Sequence, residues 1–323
     1  MNRFDYPIEI ARPDIARWRA GNRGIDYVWT YKSRRPGPHV WINAITHGKE
    51  ICGAIALDHL LRRGLRPERG TLTMSFANIS AFASIDRDNP LGRRFVDQDM
   101  NRVWDKLDSD AHSIELDRAR ALAPLAEEAD YLFDLHAMSH PTEPLVIVGR
   151  TGQPEKVAQG VELVRRIGAP TLMVTDRGHD AGLRLRDYRG FGDPASHQVA
   201  LVVECGGWWA AESVTFALEF IRRVLTGFEM ADPSRLGLPR LREQTRPFRL
   251  VRSTETVTIH DADFRFAQPF RGDEIIAKAG TLVALDGDRE VRTPFDDCFL
   301  MFPVNKPEPG VTAVRFGHVS EIA

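Results

Sequence analysis

The chain has 323 residues, 43% of them hydrophobic and 27% charged, with a formal charge of −2; this is the balance of a globular protein with room for one large core and a smaller companion. Neither a concentrated basic face nor a run of roughly 18 apolar residues is present, which argues against nucleic acid and membranes as partners. Cys52, Cys205 and Cys298 are odd in number and widely spaced, which argues against a disulfide framework and, with a start that lacks an apolar leader core, points to the cytoplasm.

From about residue 38 to 230, short apolar runs alternate with helical periodicity, as in an α/β domain with a parallel or mixed sheet. Residues 39–45 read as a buried strand, and 51–63 as a helix with Ile51, Ala54, Ile55 and Leu61 on one face and Gly64 as its stop. A strand follows at 71–78, then a polar segment from Asp86 to Arg102 that contains Pro90 and Gly92 and reads as a loop. Residues 114–128 form a helix. Residues 131–136 form a central strand that ends on His136. Further strands are expected at 145–148, 171–174 and 199–203, and helices at 155–167 and 212–228. The paired arginines Arg62, Arg63 and Arg165, Arg166 read as solvated helix ends.

The stretch 231–240, with two prolines and a glycine, reads as a linker. After it, 248–259 alternates and is rich in β-branched residues, and Gly272, Gly280 and Gly287 punctuate short strands. The expected organisation is a catalytic unit over 1–235 and a small all-β unit over 245–323.

Ligands of open α/β sheets gather at the carboxyl ends of strands, and three polar motifs stand there: H-G-K-E at 47–50, D-L-H at 134–136 and E-C-G at 204–206. Two histidines and a carboxylate can hold a catalytic zinc and leave a fourth position open, while a second carboxylate takes a proton from water. Asp134 and His136 share a face of their strand, so Asp134 can accept a hydrogen bond from an imidazole and fix its tautomer. In the polar loop, Arg94, Asn101 and Arg102 offer rigid donors suited to a carboxylate and to a developing oxyanion.

Taken in order, H-G-x-E, R-x-x-D-x-D-M-N-R at 94–102, D-L-H and the strand ending in E-x-G resemble the succinylglutamate desuccinylase and aspartoacylase family, a branch of the zinc carboxypeptidase fold. The resemblance implies a mixed sheet flanked by helices with a small C-terminal all-β domain. It implies one Zn²⁺ on His47, Glu50 and His136, with Glu204 as general base. Arg94 would stabilise the oxyanion, Asn101 and Arg102 would grip a substrate carboxylate, and Asp99 would hold the arginines. The implied activity is removal of an acyl group from a small N-acyl amino acid or related amine, and since members of the family are often oligomers a homo-oligomer is the implied assembly. A metallocarboxypeptidase acting on short peptides uses the same triad and is the alternative; a non-catalytic binding protein is a third reading, against which Glu204 and Arg94 both stand.

Aspartoacylase brings a tyrosine from its C-terminal domain to the site, whereas this chain has no tyrosine after residue 188; Phe264, Phe266 and Phe270 are the nearest aromatic substitutes. No second carboxylate-binding arginine aligns in 192–199. Trp208, Trp209 and the segment 177–184 are candidate pocket walls, the tryptophans reading first as packing. His140 and His179 read as non-ligands and Cys205 as a packing residue.

Overall fold

The structure is a computed structural model; it describes residues 7–85, 92–139, 142–178, 181–232, 234, 237–238 and 245–322. The strands are β1 (Val28–Lys32), β2 (His39–Ala44), β3 (Thr71–Phe76), β4 (Tyr131–Met138), β5 (Leu145–Arg150), β6 (Leu172–Asp176), β7 (Val199–Gly207), β8 (Phe248–Thr258), β9 (Arg265–Phe266), β10 (Ile275–Ile276), β11 (Leu282–Asp286), β12 (Arg289–Arg292), β13 (Cys298–Met301) and β14 (Thr312–Ile322). The helices are α1 (Cys52–Arg62), α2 (Ile79–Ala83), α3 (Ile114–Glu128), α4 (Pro154–Ile167) and α5 (Ala211–Gly227).

One mixed sheet runs in the order β1-β3-β2-β4-β7-β5-β6-β8-β14-β13-β10, and β12-β11-β9 form a separate small sheet. β2, β3, β4 and β7 are mutually parallel neighbours, and β5 lies antiparallel to β7. Almost every residue of β2 and β4 is buried, as expected of central strands covered on both faces. The first core, with Ile42, Phe133, Leu201 and Val203 from the strands, is closed by Leu57 and Leu60 of α1 and Phe220 and Val224 of α5. On a second core, Leu116, Leu122 and Leu125 of α3 pack with Trp41 and Leu132.

The C-terminal strands form the expected all-β unit, with the small sheet β12-β11-β9 in it, and also extend the main sheet. β8 pairs in parallel with β6, and β14 and β13 follow from it, so the all-β segment continues the main sheet. Leu250 belongs to the first core and Val251 packs with Leu172 and Val174. Positions 233, 235–236 and 239–240 of the stretch read as a linker lie outside the described residues, but Leu238 is buried in the first core. β1 and the short α2 had no expectation attached to them. The basic pairs do stand at the ends of α1 and α4.

Two local features aim the strand ends. The chain leaves β2 with Ile45 at φ +55°, an uncommon conformation for a β-branched residue, held by Asn78 N–H donating to the Ile45 carbonyl at 2.9 Å. Gly48 then packs so closely on α2 that a Cβ would stand 2.3 Å from the Ala81 carbonyl carbon. Only glycine lets the 47–50 turn fold there.

Candidate zinc centre

His47 and Glu50 come from the turn after β2, and His136 from the end of β4; all three are at most 3% exposed. One ligand atom from each lies within 4.8 Å of the others. Nδ1 of His47 is 2.8 Å from Oε1 of Glu50, Nδ1 of His136 is 2.8 Å from Oε2, and the two Nδ1 atoms are 3.2 Å apart. The outer nitrogens are clamped: His136 Nε2 lies 2.8 Å from Asp134 Oδ2, and His47 Nε2 lies 3.1 Å from Asp99 Oδ1. Both imidazoles therefore turn Nδ1 toward one point, with a carboxylate fixing each ring from behind, the arrangement of zinc-ligating histidines. Two imidazoles and a carboxylate on a cleft wall fit one zinc ion with an open position.

Asp134 is itself held. Its Oδ1 accepts from Asn43 Nδ2 and Thr46 Oγ1, both at 2.8 Å. Ser75 Oγ donates to Asn43 Oδ1 at 2.6 Å, and Trp41 Nε1 donates to Ser75 Oγ at 2.7 Å. Burial alone would raise the Asp134 pKa, but His136 and these donors outweigh it and lower it. Asp99 has a wider role than the one read from sequence: besides accepting from Arg94 Nε at 3.0 Å it orients His47.

Arg94 Nη1 stands 3.4 Å from Glu50 Oε1. Glu204, level with His136 in the β4–β7 pairing, lines the same cleft. Its Oε2 is buried and has no hydrogen-bond partner among the described residues. Desolvation, joined by Glu50 and Asp134 and opposed by His136 and Arg94, raises the Glu204 pKa to about 7. A carboxylate so placed can hold a proton near neutral pH.

The cleft, about 340 Å³, has a second end, of which the sequence disclosed Arg102 and the segment 177–184 that ends on Arg184, but not Arg315. Arg102, Arg184 and Arg315 line it with Asp176, Asn305 and Thr312. Arg184 is 6% exposed; it is paired bidentately with Asp176 and donates Nε to Asp187 at 2.9 Å. Arg315, from β14, places Nη1 3.7 Å from Asp176 Oδ2. Desolvation, then the charges of Arg94, Arg184 and Arg315, push Arg102 down to about 10 against the pull of Asp99. Such crowded guanidinium groups favour an anion among them.

The phenylalanines offered as substitutes for a tyrosine do not reach this cleft: Phe264, Phe266 and Phe270 pack with Val283 and Val291 in the C-terminal core. Phe302 lines it instead, and Asn305 donates to the Ser139 carbonyl at 3.5 Å. Trp208 walls the cleft, with its Nε1 on the Ala137 carbonyl and Lys49 Nζ 3.5 Å from its ring, while Trp209 is buried in the core. His140 and His179 lie outside the described residues. Cys205 is buried and free.

Another residue missed from sequence is Glu115, fully buried in the first turn of α3. Its carboxylate accepts from the backbone N–H groups of Val96, Asp97 and Gln98 at 2.6, 3.0 and 3.2 Å, and from Asn78 Nδ2 at 3.1 Å. It thereby fixes the loop between Arg94 and Asp99. The signal was present, since Ser113 with Glu115 and Asp117 behind it marks a helix start, but nothing local shows that a first-turn carboxylate turns inward to a loop.

Sheet and site together define a zinc-dependent hydrolase of the carboxypeptidase-like architecture. A model of the succinylglutamate desuccinylase/aspartoacylase catalytic domain matches residues 36–226, and the chain belongs to that family. Among solved structures, the succinylglutamate desuccinylase of Vibrio parahaemolyticus is 15% identical with a TM-score of 0.67, covering 92% of this chain and 87% of that one. A succinylglutamate desuccinylase/aspartoacylase of Rhodobacter sphaeroides is 21% identical with a TM-score of 0.64, covering 97% and 98%. The ectoine utilization protein EutE (DoeB) of Ruegeria pomeroyi is 18% identical with a TM-score of 0.62, covering 90% and 87%. At these identities the likeness is one of fold. No curated protein matches the sequence significantly. Among the described residues no helix is long and apolar enough to cross a membrane.

Proposed function

We propose that the chain removes an acyl group from a small N-acyl amino acid or related amine, with His47, Glu50 and His136 as ligands of one zinc ion. The observation that carries this reading is the convergence of His47 Nδ1, His136 Nδ1 and the Glu50 carboxylate in one cleft with Glu204, whose Oε2 is without a partner among the described residues. When bound, zinc supplies Lewis acidity, which makes water nucleophilic near neutral pH and polarises the scissile carbonyl. Glu204 takes the proton of the attacking water on Oε2 and passes it to the leaving amine nitrogen. Arg94, steered through Nε by Asp99, directs its Nη groups at the carbonyl oxygen as that oxygen gains negative charge. Asn101, whose Oδ1 accepts from Leu185 N–H at 3.2 Å, keeps Nδ2 for the substrate, and together with Arg102 it holds a carboxylate.

Small substrates are favoured over peptides because Phe302, Asn305, Thr312 and Arg315, from the C-terminal unit over 245–323, wall the cleft. The three free, buried cysteines support a reducing, cytoplasmic setting. Zinc-loaded protein assayed against N-acetyl, N-formyl, N-succinyl and longer N-acyl amino acids should release amine, lose activity to a chelator and regain it with zinc. Chelator-resistant hydrolysis would refute the reading, and cleavage of peptides in preference to acyl amino acids would turn it into the carboxypeptidase alternative.

A further inference from the structure

The cleft runs on past the zinc ligands. His136 is level with Glu204 in the β4–β7 pairing and Met138 with Gly207, so Ala137, Met138, Ser139 and Trp208 line the cleft beyond the ligands, on the carboxyl side. The arginine end lies the other way. Leu145 of β5 is opposite Glu204 and Ile147 opposite Val202, and Arg150, further along β5 in the same direction, is level with Asp176. Arg184 and Arg315 meet on Asp176, and the charges of both act on Arg102. The zinc ligands therefore stand between two arms of the cleft that leave them in opposite directions along β7.

The two arms differ in chemistry. Beyond the ligands the walls are Ala137, Met138 and Trp208, with Pro303 and Val304 leading up to Asn305. Ala137 and Met138 are buried. Trp208 Nε1 donates to the Ala137 carbonyl at 2.7 Å, and Asn305 Nδ2 donates to the Ser139 carbonyl at 3.5 Å, so the polar groups here are neutral and engaged with the backbone. Among the described residues no charged side chain lines this arm. The guanidinium groups of the cleft are those of Arg94, which turns to Glu50 and Asp99, and of Arg102, Arg184 and Arg315 on the opposite arm. Lys49 and Lys306 lie close to one another but neither lines the cleft: Lys49 Nζ is 3.5 Å from the centre of the Trp208 ring, and Lys306 is exposed.

A planar trans amide sends its acyl chain and its amine substituent in opposite directions from the C–N bond. With the scissile carbonyl beside Glu204 and Arg94, and the carboxylate of the amine on Asn101 and Arg102, the acyl chain points into the arm of Met138 and Trp208. From His136 to Met138 the strand rises about 7 Å, more than the methyl of an acetyl group spans. A carboxylate at the end of the acyl chain would leave water there with no cation to meet it, whereas methylene groups gain by leaving water. We propose that the acyl group this chain removes is uncharged, apolar and longer than acetyl, and that the arm walled by Met138, Trp208 and Val304 selects it. This rests on the deacylase reading and narrows its substrate class.

The test compares N-acetyl, N-succinyl and N-(4-methylpentanoyl) derivatives of the same set of L-amino acids. The last two match in shape and differ in carrying a carboxylate or an isopropyl group. For the zinc-loaded protein, kcat/KM should be about tenfold or more higher for 4-methylpentanoyl than for acetyl, and about a hundredfold or more higher than for succinyl. Calorimetry with Glu204→Gln, which does not turn the compounds over, should give the same order in Kd. Val304→Lys brings an ammonium to the arm and should narrow the gap between 4-methylpentanoyl and succinyl about tenfold. A preference for succinyl or acetyl in the unaltered protein overturns the proposal while leaving the deacylase reading intact; amine release from none of the compounds ends that reading and the proposal with it. An unchanged gap in Val304→Lys overturns the placement of the acyl chain. Should that variant fail to fold, the three-compound comparison and the Kd order decide.

Discussion

The two ends of the cleft are built on opposite principles. At the zinc end each histidine ligand is clamped from behind, His136 by Asp134 and His47 by Asp99, with Asp134 held in turn by Asn43 and Thr46. All of these residues come from turns and strands between 43 and 136. At the other end Arg184 and Arg315, from a short helix edge and the last strand, meet on one carboxylate, Asp176, and Arg102 lines the same wall. The first end converges two imidazoles and a carboxylate on one point; the second crowds guanidinium groups on the wall of the cleft. One end of the cleft is thus prepared for chemistry common to many substrates, and the other for recognising a particular one.

If that division holds, changes at the zinc end should act on turnover and metal content, and changes at the arginine end on substrate preference. The largest effect is expected from Glu204→Gln, which keeps shape but cannot take a proton: kcat should fall by about 10²- to 10⁴-fold with zinc still stoichiometric by atomic absorption. Loss of zinc in this variant would mean that Glu204 is a ligand, and the separation of roles within the zinc end would collapse. Next comes Asp134→Ala. It leaves every ligand in place but frees the His136 ring, so zinc affinity should weaken by about 10- to 100-fold in a competitive chelator titration, with near-normal turnover once zinc is saturating.

At the arginine end, Arg315→Gln should raise KM for carboxylate-bearing N-acyl substrates about tenfold, the order of one charge-assisted hydrogen bond. KM for an N-acyl amine without a carboxylate, and zinc affinity, should stay as they were. Equal losses on both substrates would show that Arg315 only supports Asp176, and the contrast between the ends would lose its basis.

The sequence disclosed these two ends unequally. His47, Glu50, His136 and Glu204 follow apolar runs that are strands, so their convergence could be read from the rule that strand ends gather ligands. Asp134 could be read as well, because strand alternation puts it on the face of His136. Arg184 could be read only as part of 177–184, a candidate pocket wall, with no role of its own, and Arg315 could not be read at all. Arg184 stands in an irregular segment whose path depends on Asp176 and Asp187, and Arg315 is one of several arginines on alternating strands. Only the pairing of β8 with β6, and of β14 with β8, brings Arg315 to the cleft. That long-range register leaves no local periodic trace, and for the same reason the continuation of the main sheet into the C-terminal strands was not legible.

Glu115 offers the finest test because it serves both ends at once. Its two oxygens accept four N–H donors, three of them from the backbone of the loop that carries Asp99 to the zinc end and Arg102 to the other. In Glu115→Gln one of those oxygens becomes an NH₂ group, and either amide orientation sets a donor against backbone donors. About 1–3 kcal/mol of stability should be lost, the cost of leaving buried donors unmet, and it can be read as a lowered denaturation midpoint at unchanged m-value. Function should suffer less than in the other variants, by a few-fold in kcat/KM, because the loop is also anchored through Gly48 N–H on the Arg94 carbonyl and Asn101 N–H on Asp99. The informative quantity is where that loss falls. A rise in KM with unchanged zinc affinity would mean that the loop moves at its Arg102 side while the Asp99–His47 clamp holds. A parallel loss of zinc would mean that the two ends are coupled through 94–102 and cannot be tuned apart.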